Sequence, residues 1–92
     1  MCRNITELRG LEPPATREEV EAAARQFVRK ITGVARPRPE LVEHFDSASL
    51  EITVIAEGLL AELPPRRTPP KTVPPLRRPD VRARLGLEPL SY

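Results

Sequence analysis

One stretch constrains the fold more than any other: Thr16 to Gly33, TREEVEAAARQFVRKITG, where every local signal agrees on a helix. Thr16 is placed to cap it and Glu19, three residues on, to reach back, the spacing of a capping box. Ala15 and Val20 flank that cap at the staple positions, and Gly33 suits a left-handed stop. Acids at 18, 19 and 21 and bases at 29 and 30 follow the polarity that the helix dipole favours. Glu21 and Arg25 form an i, i+4 pair. Val20, Ala24, Phe27 and Ile31 recur at helical spacing, so one face is apolar and needs a cover.

The expected cover is a second apolar run. Leu41, Phe45, Ala48, Ile52, Ile55, Leu59 and Leu63 are spaced 4, 3, 4, 3, 4 and 4, a nearly heptad seam that predicts a second helix. Ile52 to Ile55 is β-branched and raises the competing reading of a strand. Strict alternation is missing there, and a lone strand would find no partner in 92 residues, so helix prevails. Asp46-Ser47 and Gly58 are the places where it could break. The short connection, with Pro39 suited to open the next helix, makes the two helices an antiparallel hairpin. The seam is expected to pack on Phe27 and Ile31. A second apolar line (Val42, Leu50, Val54, Leu60) lies off it, which calls for a further neighbour, either the tail or a second subunit.

Past Leu63 the chain changes character. Pro-Pro pairs recur every five residues, at 64, 69 and 74, stiffening the backbone and barring continuation of the helix. Residues 1–63 carry 8 basic and 11 acidic side chains, whereas 64–92 carry 7 and 2. An acidic helical body, 1–63, is therefore followed by a basic proline-rich arm, 64–92. Asp80 and Gly86 can bracket a short helical turn. The expected architecture is all-α: an antiparallel helical hairpin with an extended proline-rich C-terminal arm. Apolar residues make up only 39%, without Trp, so a monomeric core is thin and self-association is expected.

Composition excludes several classes. One Cys rules out an intramolecular disulfide and any paired-Cys zinc site. No run is long enough to span a membrane and no signal peptide is evident, so a cytoplasmic protein is the expectation. Cys2 is the candidate for chemistry. If Met1 is removed, Cys2 presents a thiol and an α-amine together, able to ligate a soft metal or act as a nucleophile, with Arg3 favouring the thiolate. The ordinary alternative is a small hydrophobe near a chain end. His44 has Glu40 one turn before it, but two ligands do not make a metal site. Ser47 and Ser49 lack a triad signature, so an enzyme is not the first reading.

The arm offers partner-binding candidates. Arg66, Arg67, Arg77 and Arg78 supply charge, and Leu85, Leu87, Leu90 and Tyr92 form a terminal apolar cluster expected to anchor the arm on the acidic helices, in its own subunit or a neighbour's. Nucleic-acid contact is the lesser alternative, because aromatics for base stacking are missing.

MCRNI at the start, EPPAT at 12–16, the alanines and QFVRKITG at 26–33, with Phe45-Asp46 further on, closely resemble a small uncharacterised bacterial family, domain-of-unknown-function family 2277. The resemblance covers roughly residues 1–63. It implies a short, cytosolic, mostly helical protein and no known activity or ligand. The functional expectation is a small interaction or accessory protein, a homodimer or the partner of another protein, with a Cys2-centred activity as the alternative.

Overall fold

The computed structural model describes residues 5–66, 68–70 and 72–88. Cys2, Arg67, Leu90 and Tyr92 lie outside the described residues. Three helices, α1 (Arg17–Thr32), α2 (Val42–Glu62) and α3 (Pro79–Arg84), make up the fold, and no strand occurs among the described residues.

Helix α1 forms as its local signals dictate. The Glu19 amide donates to Thr16 Oγ1 at 3.2 Å and the Thr16 amide donates to Glu19 Oε1 at 2.9 Å, completing the capping box. Gly33, at φ 72°, ends the helix in the left-handed region, its N–H donating to the Arg29 carbonyl. A 3₁₀ turn over Pro39–Leu41 leads into α2, which then runs unbroken through Asp46-Ser47 and Gly58. Pro64 and Pro65 follow at once and cannot donate to a further turn. Two ion pairs fix the sense of the hairpin: Arg17 with Glu57 at 3.4 Å, and Arg25 with Asp46 at 2.9 Å. The start of α1 thus lies beside the end of α2, so the helices are antiparallel.

The core departs from the expected one. On α1 the buried line is Val20, Ala24 and Val28, while Phe27 is 45% and Ile31 66% exposed. On α2 the buried residues are Ser49 and Thr53, not the apolar seam. Small side chains let the two backbones approach, and the Thr53 hydroxyl donates to the Ser49 carbonyl at 2.7 Å, so burial leaves it satisfied. At 3.6 residues per turn, the seam's midline lies about 90° around α2 from the line through Ser49 and Thr53. The seam therefore faces the flank of the hairpin rather than α1.

The arm folds back on its own hairpin. At its root, Arg9 donates to the Pro64 carbonyl from Nε and Nη2 at 3.1 and 3.0 Å, and Arg66 reaches Glu7 at 2.6 Å. Pro74 and Pro75 are buried, and a 3₁₀ turn over Pro75–Arg77 precedes α3. Val81 is the buried residue of α3. Among the described residues the anchor is thus Pro74, Pro75 and Val81 rather than Leu85 and Leu87, which are exposed. No Asp80 side-chain cap forms; α3 ends in a Schellman motif, with Gly86 N–H to Ala83 O at 3.2 Å and Leu87 N–H to Arg82 O at 2.8 Å.

Candidate functional site

Two features stand out from the residues upward: a buried charged clasp that holds the arm, and an apolar flank that is partly exposed among the described residues.

The clasp is built on the capping box. Glu19 is already oriented by the Thr16 amide, and its free edge receives Arg77, Nε to Oε2 at 2.6 Å and Nη2 to Oε1 at 3.0 Å. Arg77 Nη2 also donates to the Pro14 carbonyl at 3.1 Å, so one guanidinium ties the arm to both α1 and its lead segment. Both side chains are nearly inaccessible, at 6% and 4%. Burial pushes the Glu19 carboxyl up, but the Arg77 hydrogen bonds, the Thr16 amide and the guanidinium charge outweigh it and hold the carboxyl below the usual glutamate value. A fork-on-fork pair of this kind is directional and strong. Its chemistry is structural, since it leaves no open position for a ligand.

The flank is the other side of the displaced seam. Along it Leu41, Phe45, Ala48 and Ile52, in the first half of α2, are half-buried, while Ile55 is 73% and Leu59 59% exposed. Phe27 and Ile31 of α1 continue the same side, away from the edge on which Arg25 meets Asp46. Leu50 and Val54 are exposed on the opposite edge of α2.

Two concavities accompany these features. A cleft of about 440 Å³ lies between the lead segment and the end of α2, lined by Leu8, Leu11, Val20, Leu60 and Leu63 among others. Its arginines, Arg9 and Arg66, are engaged by Pro64 and Glu7. A groove of about 600 Å³ separates Ala22 of α1 from Leu76, Val81 and Leu85 of the arm, with Arg78 and Arg84 at its edge.

The residues singled out from the sequence are not brought together. His44 and Glu40 are both exposed, and among the described residues no group of three His, Cys, Asp or Glu side chains could hold a metal. Arg66 and Arg77 are engaged within the chain, Arg78 borders the groove, and Leu85 and Leu87 face solvent. Sequence reasoning missed the partnership of Glu19 with Arg77; the opposite net charges of body and arm were the signal that pointed towards it. Among the described residues no helix is long and apolar enough to cross a membrane.

The fold defines a class: a helical hairpin whose own lead segment and proline-rich arm are strapped to it by arginines. The chain belongs to the family of uncharacterised conserved proteins DUF2277, which it matches over residues 1–84. The match takes in the arm as far as the end of α3 as well as the hairpin. No curated protein and no solved structure matches the chain.

Proposed function

We propose that this chain is a small cytoplasmic interaction or accessory protein that works through the apolar flank of its hairpin. One observation carries the reading: a seven-residue apolar seam is turned away from α1, leaving Ile55 and Leu59 in water near the start of α1, while Phe27 and Ile31 are exposed at the other end of the hairpin. Contiguous apolar faces of this extent mark interaction surfaces on soluble chains. The arm's role is to brace the hairpin so that the flank is presented by a rigid scaffold. With Arg66 and Arg77 engaged internally, the arm keeps less charge for nucleic acid, so that alternative is the weaker one. The test is cross-linking and purification from the native host, comparing wild type with an Ile55→Glu, Leu59→Glu variant. The reading expects the flank variant to lose its specific cross-linked species, whether to itself or to another protein. An identical cross-linking pattern for both would overturn it.

A further inference from the structure

We propose that the turn end of the hairpin, where α1 stops and α2 begins, docks on an anionic lipid surface, its exposed cations meeting the headgroups and Ile31 entering the layer between them. The proposal goes beyond the reading of the flank and concerns a different surface from Ile55 and Leu59.

Charge is segregated along the hairpin. Residues 22–39 hold Arg25, Arg29, Lys30, Arg36 and Arg38 and no acid, whereas the rest of residues 1–63 holds 3 basic and 11 acidic side chains. Arg25 is engaged by Glu21 and Asp46, at 3.1 and 2.9 Å. Arg29, Lys30, Arg36 and Arg38 are exposed, and none of them forms an ion pair among the described residues.

Folding accounts for only two of these four. Arg29 and Lys30 close α1, where the helix dipole favours cations. Arg36 and Arg38 instead precede the 3₁₀ turn and α2, at the end where the dipole is itself positive. The residues that suit that end are acids, and Glu40 and Glu43 occupy the first turns of the two elements. Two arginines placed against the dipole do nothing for the helix they precede, and an anion from outside the chain gives them a partner.

Apolar side chains among the cations decide which anion. Ile31, directly after Lys30, is 66% exposed, Phe27 one turn before it is 45%, and Val42 at the first turn of α2 is 37%. On the helix surface Lys30 neighbours Phe27. Nucleic-acid binding draws on phosphate contacts and aromatic stacking, and has no use for an aliphatic tip. An anionic bilayer takes both kinds of group, cations at the headgroups and apolar tips at the acyl boundary. The contact is peripheral.

Co-sedimentation with vesicles tests the proposal. Wild type is expected on phosphatidylcholine vesicles containing about 30 mol% phosphatidylglycerol but not on phosphatidylcholine alone, and to leave them as salt rises from about 0.1 to 0.5 M. Arg36→Glu with Arg38→Glu should weaken binding at least ~25-fold, at about fivefold per cation. Both side chains are exposed and outside the helices, and helical content by circular dichroism should be retained. Should that variant unfold, Arg36→Ala with Arg38→Ala must give the same loss. Ile31→Ser should weaken binding several-fold without any change of charge. Arg78→Glu with Arg84→Glu, the same charge change placed on the arm, should stay within about threefold of wild type, less than the loss of one contacting cation. A wild type that ignores the anionic vesicles overturns the proposal, as does an arm pair that loses binding as far as the turn pair. So does tighter binding to a single-stranded oligonucleotide than to the vesicles, abolished by the same turn substitutions, which would make the turn a nucleic-acid contact.

Discussion

Arg77 closes on Glu19 across 58 residues of sequence, and the same carboxylate that caps α1 becomes the buried anchor of the arm. Helix start and arm position are therefore one interaction. Glu19 is pre-aimed by the Thr16 amide, so only the guanidinium has to be ordered when the arm docks.

Removing the cation should release the arm. In Arg77→Ala the Glu19 carboxylate stays buried with only Thr16 to satisfy it, at a cost of ~3 kcal/mol, the lower end for stripping one partner from a buried pair. Arg77→Lys should recover only part of this, because an ammonium cannot reproduce the fork. Chemical denaturation gives the energies, and limited proteolysis should show faster cutting between Pro64 and Arg84. An Arg77→Ala protein as stable and as protease-resistant as wild type would remove the clasp from the account.

The clasp also has an acid limb. The folded Glu19 carboxyl titrates below its unfolded value, so the pair contributes fully above the ordinary glutamate pKa of about 4.3 and is lost as pH falls through the lower folded value. Glu19→Gln keeps the capping box but discards the charge. It should be markedly less stable than wild type at neutral pH, and the gap should narrow below about pH 4. Denaturation curves at stepped pH measure this; a gap that stays constant into acid would refute the assigned sign.

Gly10 sits at φ 88°, and a Cβ there would meet Arg66 Cβ and Cδ at 2.9 Å. Gly10→Ala combines backbone strain with a clash at the root of the arm and should cost about 1–3 kcal/mol. Gly58→Ala is the control, since a Cβ there meets nothing and alanine favours the helix by roughly 1 kcal/mol. Opposite shifts in melting temperature are expected, and equal shifts would contradict the geometry.

The core assignment predicts an inversion of what periodicity alone suggests. Phe27→Ala should cost less than about 1.5 kcal/mol within one subunit, because nearly half of that ring is already in water. Val28→Ala, which empties a buried site, should cost about 1.5–3 kcal/mol, and Ala24→Leu should overpack the helix crossing by a similar amount. Chemical denaturation of the single variants measures these costs. A larger loss at Phe27 than at Val28 would return the seam to the inside.

Short-range chemistry was legible in the chain. The capping box at Thr16, the left-handed stop at Gly33, the Pro39 entry and the Pro-Pro exit after Leu63 each act within a few residues, and each appears where the pattern puts it. Helix rather than strand across Ile52–Ile55 was legible for the same reason: the 3–4 spacing of the seam outweighs local β-branching. The end of α3 at Gly86 belongs with these. So does the charge opposition of arm and body, as a tendency without an address.

Tertiary structure decided the rest. Hydrophobicity says that a seam must be covered but not by which neighbour, so the rotation of α2 by about a quarter turn could not be read from spacing. Ser49 and Thr53 face α1 because small residues allow a close crossing and Thr53 satisfies its hydroxyl on its own helix, a compensation that a count of apolar residues does not register. The pairing of Glu19 with Arg77 was likewise undetermined, because any of the arm's arginines satisfies a charge argument. Only the path imposed by buried Pro74 and Pro75 brings that one guanidinium to the free edge of the cap.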